Sequence, residues 1–166
     1  MLMLNETKGL LHYLFHHGNV LPTFDHTRLL ELVKGLDWPE PDNPPPTSYY
    51  NLKGYRSQML IEPEHGEIFD LIHKAHIRLM PAIYNDYKGT LPTDPIYDKY
   101  SGYWLCKYPE GGYLSPHTDV DADAGSVTTS YTINDDYEGG DICFWGEHDI
   151  ASKGNSAHVY PSNHLF

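Results

Sequence analysis

Residues 108–125 read YPEGGYLSPHTDVDADAG. One histidine and three aspartates, His117, Asp119, Asp121 and Asp123, recur at every second position. Strand side chains alternate with a period of two, so an extended chain would bring all four to one face. That face is too polar to pack as a core. Three readings of it are open.

The first is a calcium loop. An EF-hand carries ligands at its first, third and fifth positions, glycine at the sixth and a bidentate glutamate at the twelfth. Counted from Asp119, the sixth position is Ala124 and the twelfth is Ser130, so the sharp turn and the bidentate ligand are both missing. The second reading is a solvated sheet edge whose carboxylates discourage pairing with other strands. It accounts well for Asp121 and Asp123. It leaves unexplained a histidine two positions before an aspartate, just after a Gly-Gly turn and Pro116. The third reading is a transition-metal site. His and Asp two apart on a strand can bind one ion from the same side, and two histidines with one carboxylate form the facial triad of non-haem Fe(II) oxygenases.

The bulk of the chain narrows the setting. A length of 166 residues suits one domain with a real core, and 40% hydrophobic residues with fourteen tyrosines argue against disorder. The net charge of −12 excludes a binder that tracks phosphates with a basic stripe, so no nucleic-acid partner is expected. Cys106 and Cys143 fit no metal spacing and read as buried free thiols. No apolar run approaches a membrane span, and the first residues lack the pattern of a signal peptide. A cytoplasmic protein with no membrane partner is the default expectation.

Along the chain, FDHTRLLELVKGLDWPEP reads as a short amphipathic helix, with Asp25 or Thr27 as N-cap and Gly35 near its end. PEPDNPPPTSYYNLKGY reads as an extended Pro-rich connector. Tyr49, Tyr50 and Tyr55 beside it are candidates for a peptide-binding face or for ordinary packing. In EHGEIFDLIHKAHIRLMPAIYNDY, the residues Ile68, Leu71, Ile72, Ala75 and Leu79 keep a helical period that Pro81 is expected to kink or end. From about residue 100 the pattern changes to GYWLCKY, SVTTSYTI, DICFW and SAHVY, separated by PEGG, NDDYEGG and SKGN. Short aromatic and β-branched runs between turn residues are strands. The expected class is α+β, an antiparallel sheet or jelly roll backed by N-terminal helices in one domain. Residues 1–99 would form the helical support and 100–166 the jelly-roll core.

Three blocks in this order, WLCKYPEGGYLSPHTD, TSYTINDDYEGGDICFW and KGNSAHVYPSNHLF, resemble the 2-oxoglutarate and Fe(II)-dependent oxygenases of the prolyl 4-hydroxylase-like branch. The resemblance implies a double-stranded β-helix, with Fe(II) and 2-oxoglutarate as cofactor and co-substrate. Ascorbate is a third candidate cofactor, and a peptide or small molecule would be the hydroxylated substrate. His117 and Asp119 match two Fe(II) ligands. Tyr108 matches an aromatic that borders 2-oxoglutarate, and Tyr131 is assigned to the pocket wall. Asn134 is assigned to a turn, and Gly139 and Gly140 to positions with unusual backbone angles. Thr118 or Ser115 would orient the ligands.

The family also uses a distal histidine, followed about ten residues later by a basic residue that pairs with the far carboxylate of 2-oxoglutarate. Here no Lys or Arg follows Lys153, and Phe166 comes five residues after Pro161. The expectation is therefore a chain lacking its last strands, or one that uses His164; His148 and His158 fit the strand order worse. A competing expectation is a non-catalytic jelly-roll domain that has lost metal and co-substrate.

Overall fold

The structure, a computed structural model, describes residues 11–40, 52–54, 56–61, 64–88, 102–119 and 127–162. These residues form two α-helices, α1 (Thr23–Lys34) and α2 (Gly66–Tyr87), and nine short strands. The strands are β1 (Phe15–Gly18), β2 (Leu52–Lys53), β3 (Arg56–Leu60), β4 (Tyr103–Lys107) and β5 (Tyr113–Leu114). They continue with β6 (Val127–Thr132), β7 (Ile142–Phe144), β8 (His148–Ile150) and β9 (Ser156–Pro161). Every ladder is antiparallel. Strands β1, β9 and β6 form one sheet in that order, while β2–β5, β3–β4 and β7–β8 form separate pairs. The two continuous sheets of a full double-stranded β-helix are not assembled among the described residues.

Both long helices precede residue 99 as expected, but the same region also supplies three strands. Strand β1 extends the β9 sheet, and β3 pairs with β4 from Arg56↔Lys107 to Leu60↔Tyr103. Neither segment announces itself, because FHHG and RSQML have almost no β-branched residues. Their strand state comes from pairing with distant partners.

Helix α1 starts earlier than expected, and neither Asp25 nor Thr27 is its cap. Pro22 holds the N-cap position, its carbonyl accepting the His26 N–H at 3.0 Å. Asp25 lies instead in the first turn, where a carboxylate suits the helix dipole, and it receives Lys74 of α2 at 2.6 Å. Helix α2 runs through Pro81 to Tyr87. The carbonyl that Pro81 leaves without a donor belongs to Ile77, whose side chain is exposed, so the break faces water.

Ile68, Leu71, Ala75, Leu79, Ile83 and Tyr87 make the buried stripe of α2, with Ile72 packed beside it. They meet Leu29 of α1, Leu60 of β3, Leu105 of β4 and Ala157 and Val159 of β9. This core defines an outer, helix-covered face of the sheet. By alternation, Ser156, His158 and Tyr160 of β9 point to the opposite, inner face, as do Thr128 and Ser130, which pair with Tyr160 and His158. The β7–β8 hairpin lies over that inner face: Phe144, fully buried, meets the Tyr160 ring edge-on at 5.0 Å between centroids.

The same alternation on β4 turns Leu105 into the core and Cys106 away from it. Cys106 is therefore exposed, and Cys143 is half-buried, so the expectation of two buried thiols does not hold. Gly139 and Gly140 do occupy left-handed backbone, at φ 77° and 73°. A Cβ on Gly140 would stand 2.9 Å from the Tyr137 ring, a second reason for glycine there.

Candidate metal centre

Strand β4 ends at Lys107, and the PEGG turn closes with the Gly112 N–H donating to the Pro109 carbonyl at 2.8 Å. The chain returns as β5, which stops at Leu114. Residues 115–119 belong to no ladder, contrary to the expected acidic strand. Pro116 has no N–H to donate, which ends regular pairing here. Asp121 and Asp123 lie outside the described residues, as do Tyr49, Tyr50, Tyr55 and His164.

His117 and Asp119 are nevertheless brought together, and each is held by a separate set of partners. The His117 Nδ1–H donates to the Ser115 carbonyl at 3.0 Å. That bond engages Nδ1 and leaves Nε2 facing Asp119 Oδ1 at 3.6 Å, an ion pair when the ring is protonated. At this separation the two groups form an ion-pair contact longer than a hydrogen bond. The Asp119 carboxylate holds the His117 imidazolium above its usual range, burial opposes it, and the Ser115 carbonyl adds to it.

Asp119 is tied to the sheet at both its backbone and its carboxylate. Its N–H donates to the Ser162 carbonyl at 3.0 Å, just past the end of β9. The Thr128 hydroxyl donates to Asp119 Oδ2 at 2.9 Å and shares a second hydrogen bond with the Ser162 hydroxyl at 3.0 Å. Oδ2 is thus occupied by β6, while Oδ1 faces the imidazole. An imidazole nitrogen beside one carboxylate oxygen is a donor set suited to a divalent transition metal. These two residues fit two of the three ligands that the Fe(II) triad requires. Among the described residues, no group of three His, Cys, Asp or Glu side chains could hold an ion.

The remaining expected site residues divide between the two faces. Tyr108 follows β4 and lies within electrostatic reach of Asp119. Burial of its phenol, then the charges of Cys106 and Asp119, raise its pKa, although about half of the residue's surface is exposed. Tyr160 feels the same neighbours from the inner face, with burial again the main cause of its raised pKa. Tyr131 is not brought to this site. It pairs with Ala157 on the outer face, packs on the helical core and donates its hydroxyl to Asn155 Oδ1 at 3.0 Å. Asn134 sits in the loop after β6, its amide donating to Asp136 Oδ1 at 2.6 Å, which fits a turn residue.

Of the two expected orienting residues, Ser115 acts through its carbonyl. Thr128 and Ser162 carry the rest, and the sequence reading missed both. Their signal was the β6–β9 register: Thr128 stands opposite Tyr160, one pair from the strand end at Pro161, so it flanks Ser162. His158 and His148 make other contacts among the described residues. His158 pairs with His16, and the His148 ring meets Trp145 edge-on.

A solved structure shares this fold. It is the crystal structure of a Pseudomonas putida prolyl-4-hydroxylase, with a TM-score of 0.58 and 19% sequence identity. The match covers 99% of this chain and 88% of the hydroxylase. At this identity the likeness concerns the fold. No family model matches the sequence, and no curated protein matches it. Among the described residues, no helix is long and apolar enough to cross a membrane.

Proposed function

We propose that the chain is a 2-oxoglutarate and Fe(II)-dependent dioxygenase that hydroxylates a C–H bond of a peptide side chain or a small molecule. The observation that carries this reading is the pairing of His117 Nε2 with Asp119 Oδ1, each ligand fixed through its other polar atom. The likeness in fold to a prolyl-4-hydroxylase supports it. In this reading His117 and Asp119 hold Fe(II), which when bound supplies the oxygen chemistry. Ser115 keeps the imidazole in its ligating tautomer. Thr128 and Ser162 keep Asp119 from rotating, so that one carboxylate oxygen serves the metal. Tyr108 borders the co-substrate, its phenol kept protonated as a hydrogen-bond donor.

A second reading is a non-catalytic scaffold of the same fold. It draws on the Thr128 and Ser162 hydroxyls, which give Asp119 Oδ2 a purely structural tie to the sheet. The two readings separate in one titration. Fe(II) followed by 2-oxoglutarate, without oxygen, gives a visible charge-transfer band in the enzyme reading, and His117→Ala and Asp119→Ala each abolish it while the fold persists. Absence of the band in the wild-type chain refutes the oxygenase and leaves the scaffold.

A further inference from the structure

Two imidazoles that the His117–Asp119 pair does not use meet at the edge of the β1–β9–β6 sheet. His16 of β1 stands directly opposite His158 of β9 in the ladder, and its Nδ1 lies 3.1 Å from the His158 Nε2. The ring centroids are 4.8 Å apart and the ring planes are tilted by 44°. His158 is buried, whereas His16, on the outer strand of this sheet, is exposed. The contact therefore has one dry side and one side open to water.

A shared proton accounts for the distance but not for the rest of the arrangement. The His158 Nδ1 is buried with no hydrogen-bond partner among the described residues. It is an unsatisfied donor in one tautomer and an unsatisfied acceptor in the other, a cost in either case. An apolar pair would fill the same place more cheaply.

The geometry also suits a bridging ion. Two imidazole nitrogens 3.1 Å apart, each about 2.0–2.1 Å from one metal, subtend about 100° at it, between the square and tetrahedral angles. The exposed His16 ring gives the ion a way in and leaves its other positions to water. Both tautomers reach the same ligating state, because the facing proton moves to the other nitrogen of its own ring. Burial, then His16, hold the His158 ring below its usual pKa, which keeps it neutral as a ligand must be. Neutral imidazoles favour zinc or copper over calcium and magnesium, which take oxygen ligands. His17, the next residue on β1, points to the other face and bonds Asp86 at 2.8 Å. Among the described residues no group of three His, Cys, Asp or Glu gathers, so this pair and the His117–Asp119 pair are separate.

We propose that His16 and His158 form a second metal site, a two-histidine clip for a late first-row divalent cation such as zinc. The clip fastens β1 onto β9 between residues 142 positions apart. It exists only in the folded chain, so the ion stabilises the fold by mass action. The inference stands apart from the oxygenase reading.

The test titrates Zn(II) into the His117→Ala/Asp119→Ala chain at pH 7.5, which removes the other pair. Calorimetry should find one bound equivalent, and the urea midpoint should rise with zinc. Adding His16→Ala, at the exposed rim, should weaken zinc binding by about tenfold or more and cancel the rise, as should His158→Gln. In the otherwise wild-type chain, His16→Ala should remove one zinc equivalent without lowering the urea midpoint measured in chelator, a pattern that a merely structural histidine pair does not give. Zinc affinity unchanged by His16→Ala in both chains overturns the inference, as does a parent chain that binds no zinc or gains no stability from it. None of these results bears on Fe(II) and 2-oxoglutarate at His117 and Asp119, which the charge-transfer titration tests.

Discussion

Asn155 is the residue on which the structure makes its most quantitative demand. It stands at φ 56° in the turn before β9. Its Oδ1 accepts the Leu21 N–H at 2.8 Å and the Tyr131 hydroxyl at 3.0 Å, while its Nδ2 donates to the Leu21 carbonyl at 2.8 Å. Its own carbonyl accepts the Val20 N–H at 3.1 Å. The side chain thus satisfies both peptide groups of a residue that is 1% exposed. Asn155→Ala leaves those two groups without partners at roughly 1–3 kcal/mol each. A left-handed alanine adds about 1 kcal/mol. The Tyr131 hydroxyl, half-buried, adds little. The expected loss is about 3–7 kcal/mol, a large share of the roughly 5–15 kcal/mol that holds a domain together.

Urea unfolding followed by circular dichroism measures that loss, and two further substitutions separate its causes. Asn155→Gly loses the same hydrogen bonds without the backbone penalty, so it should be about 1 kcal/mol more stable than Asn155→Ala. Tyr131→Phe removes one bond and leaves the Leu21 clamp intact, at about 1 kcal/mol or less. Because Tyr131 faces the helices, Tyr131→Phe should also leave metal and 2-oxoglutarate binding as they are. An Asn155→Ala loss below about 1 kcal/mol would refute the reasoning, since two buried peptide groups cannot lose their partners at so small a cost.

Burial, and then the neighbouring His16, hold the folded-state pKa of His158 below the ordinary value of 6.5. The folded chain therefore binds fewer protons than the unfolded chain as pH falls below that value. Stability is intact above pH 6.5 and declines as pH falls through the window beneath it, and urea midpoints from pH 8 to pH 5 should show a slope that His158→Leu reduces. Thr128→Val keeps the shape of β6 but frees Asp119 Oδ2. Calorimetric titration should find metal affinity weakened by about 10–100-fold, with Thr128→Ser restoring most of it; unchanged affinity in Thr128→Val would mean that the sheet does not orient the ligand.

How much of this was legible in the sequence depends on the range over which each signal acts. The stripe from Ile68 to Leu79 is a local period, and the helix it implied is present; Pro81 misled because a missing N–H is costly only where its carbonyl is buried. The turns at Gly139 and Gly140 were readable because left-handed backbone selects glycine nearly by itself. Strands β1 and β3 were not readable, since their pairing is decided by partners on β9 and β4, both distant in sequence. The candidate site divides along the same line. The sequence puts His117 two residues from Asp119, and this spacing keeps the two side chains neighbours. Whether Asp119 offers one oxygen or two is decided by Thr128 on another strand and by Ser162 past the end of a third. Tyr131 shows the converse. Its motif pointed to a pocket, but alternation along β6 puts neighbours Ser130 and Tyr131 on opposite faces, and a period-two element converts an offset of one residue into the other side of the sheet. A pattern match finds the strand; the register decides which of its residues share a face with Asp119.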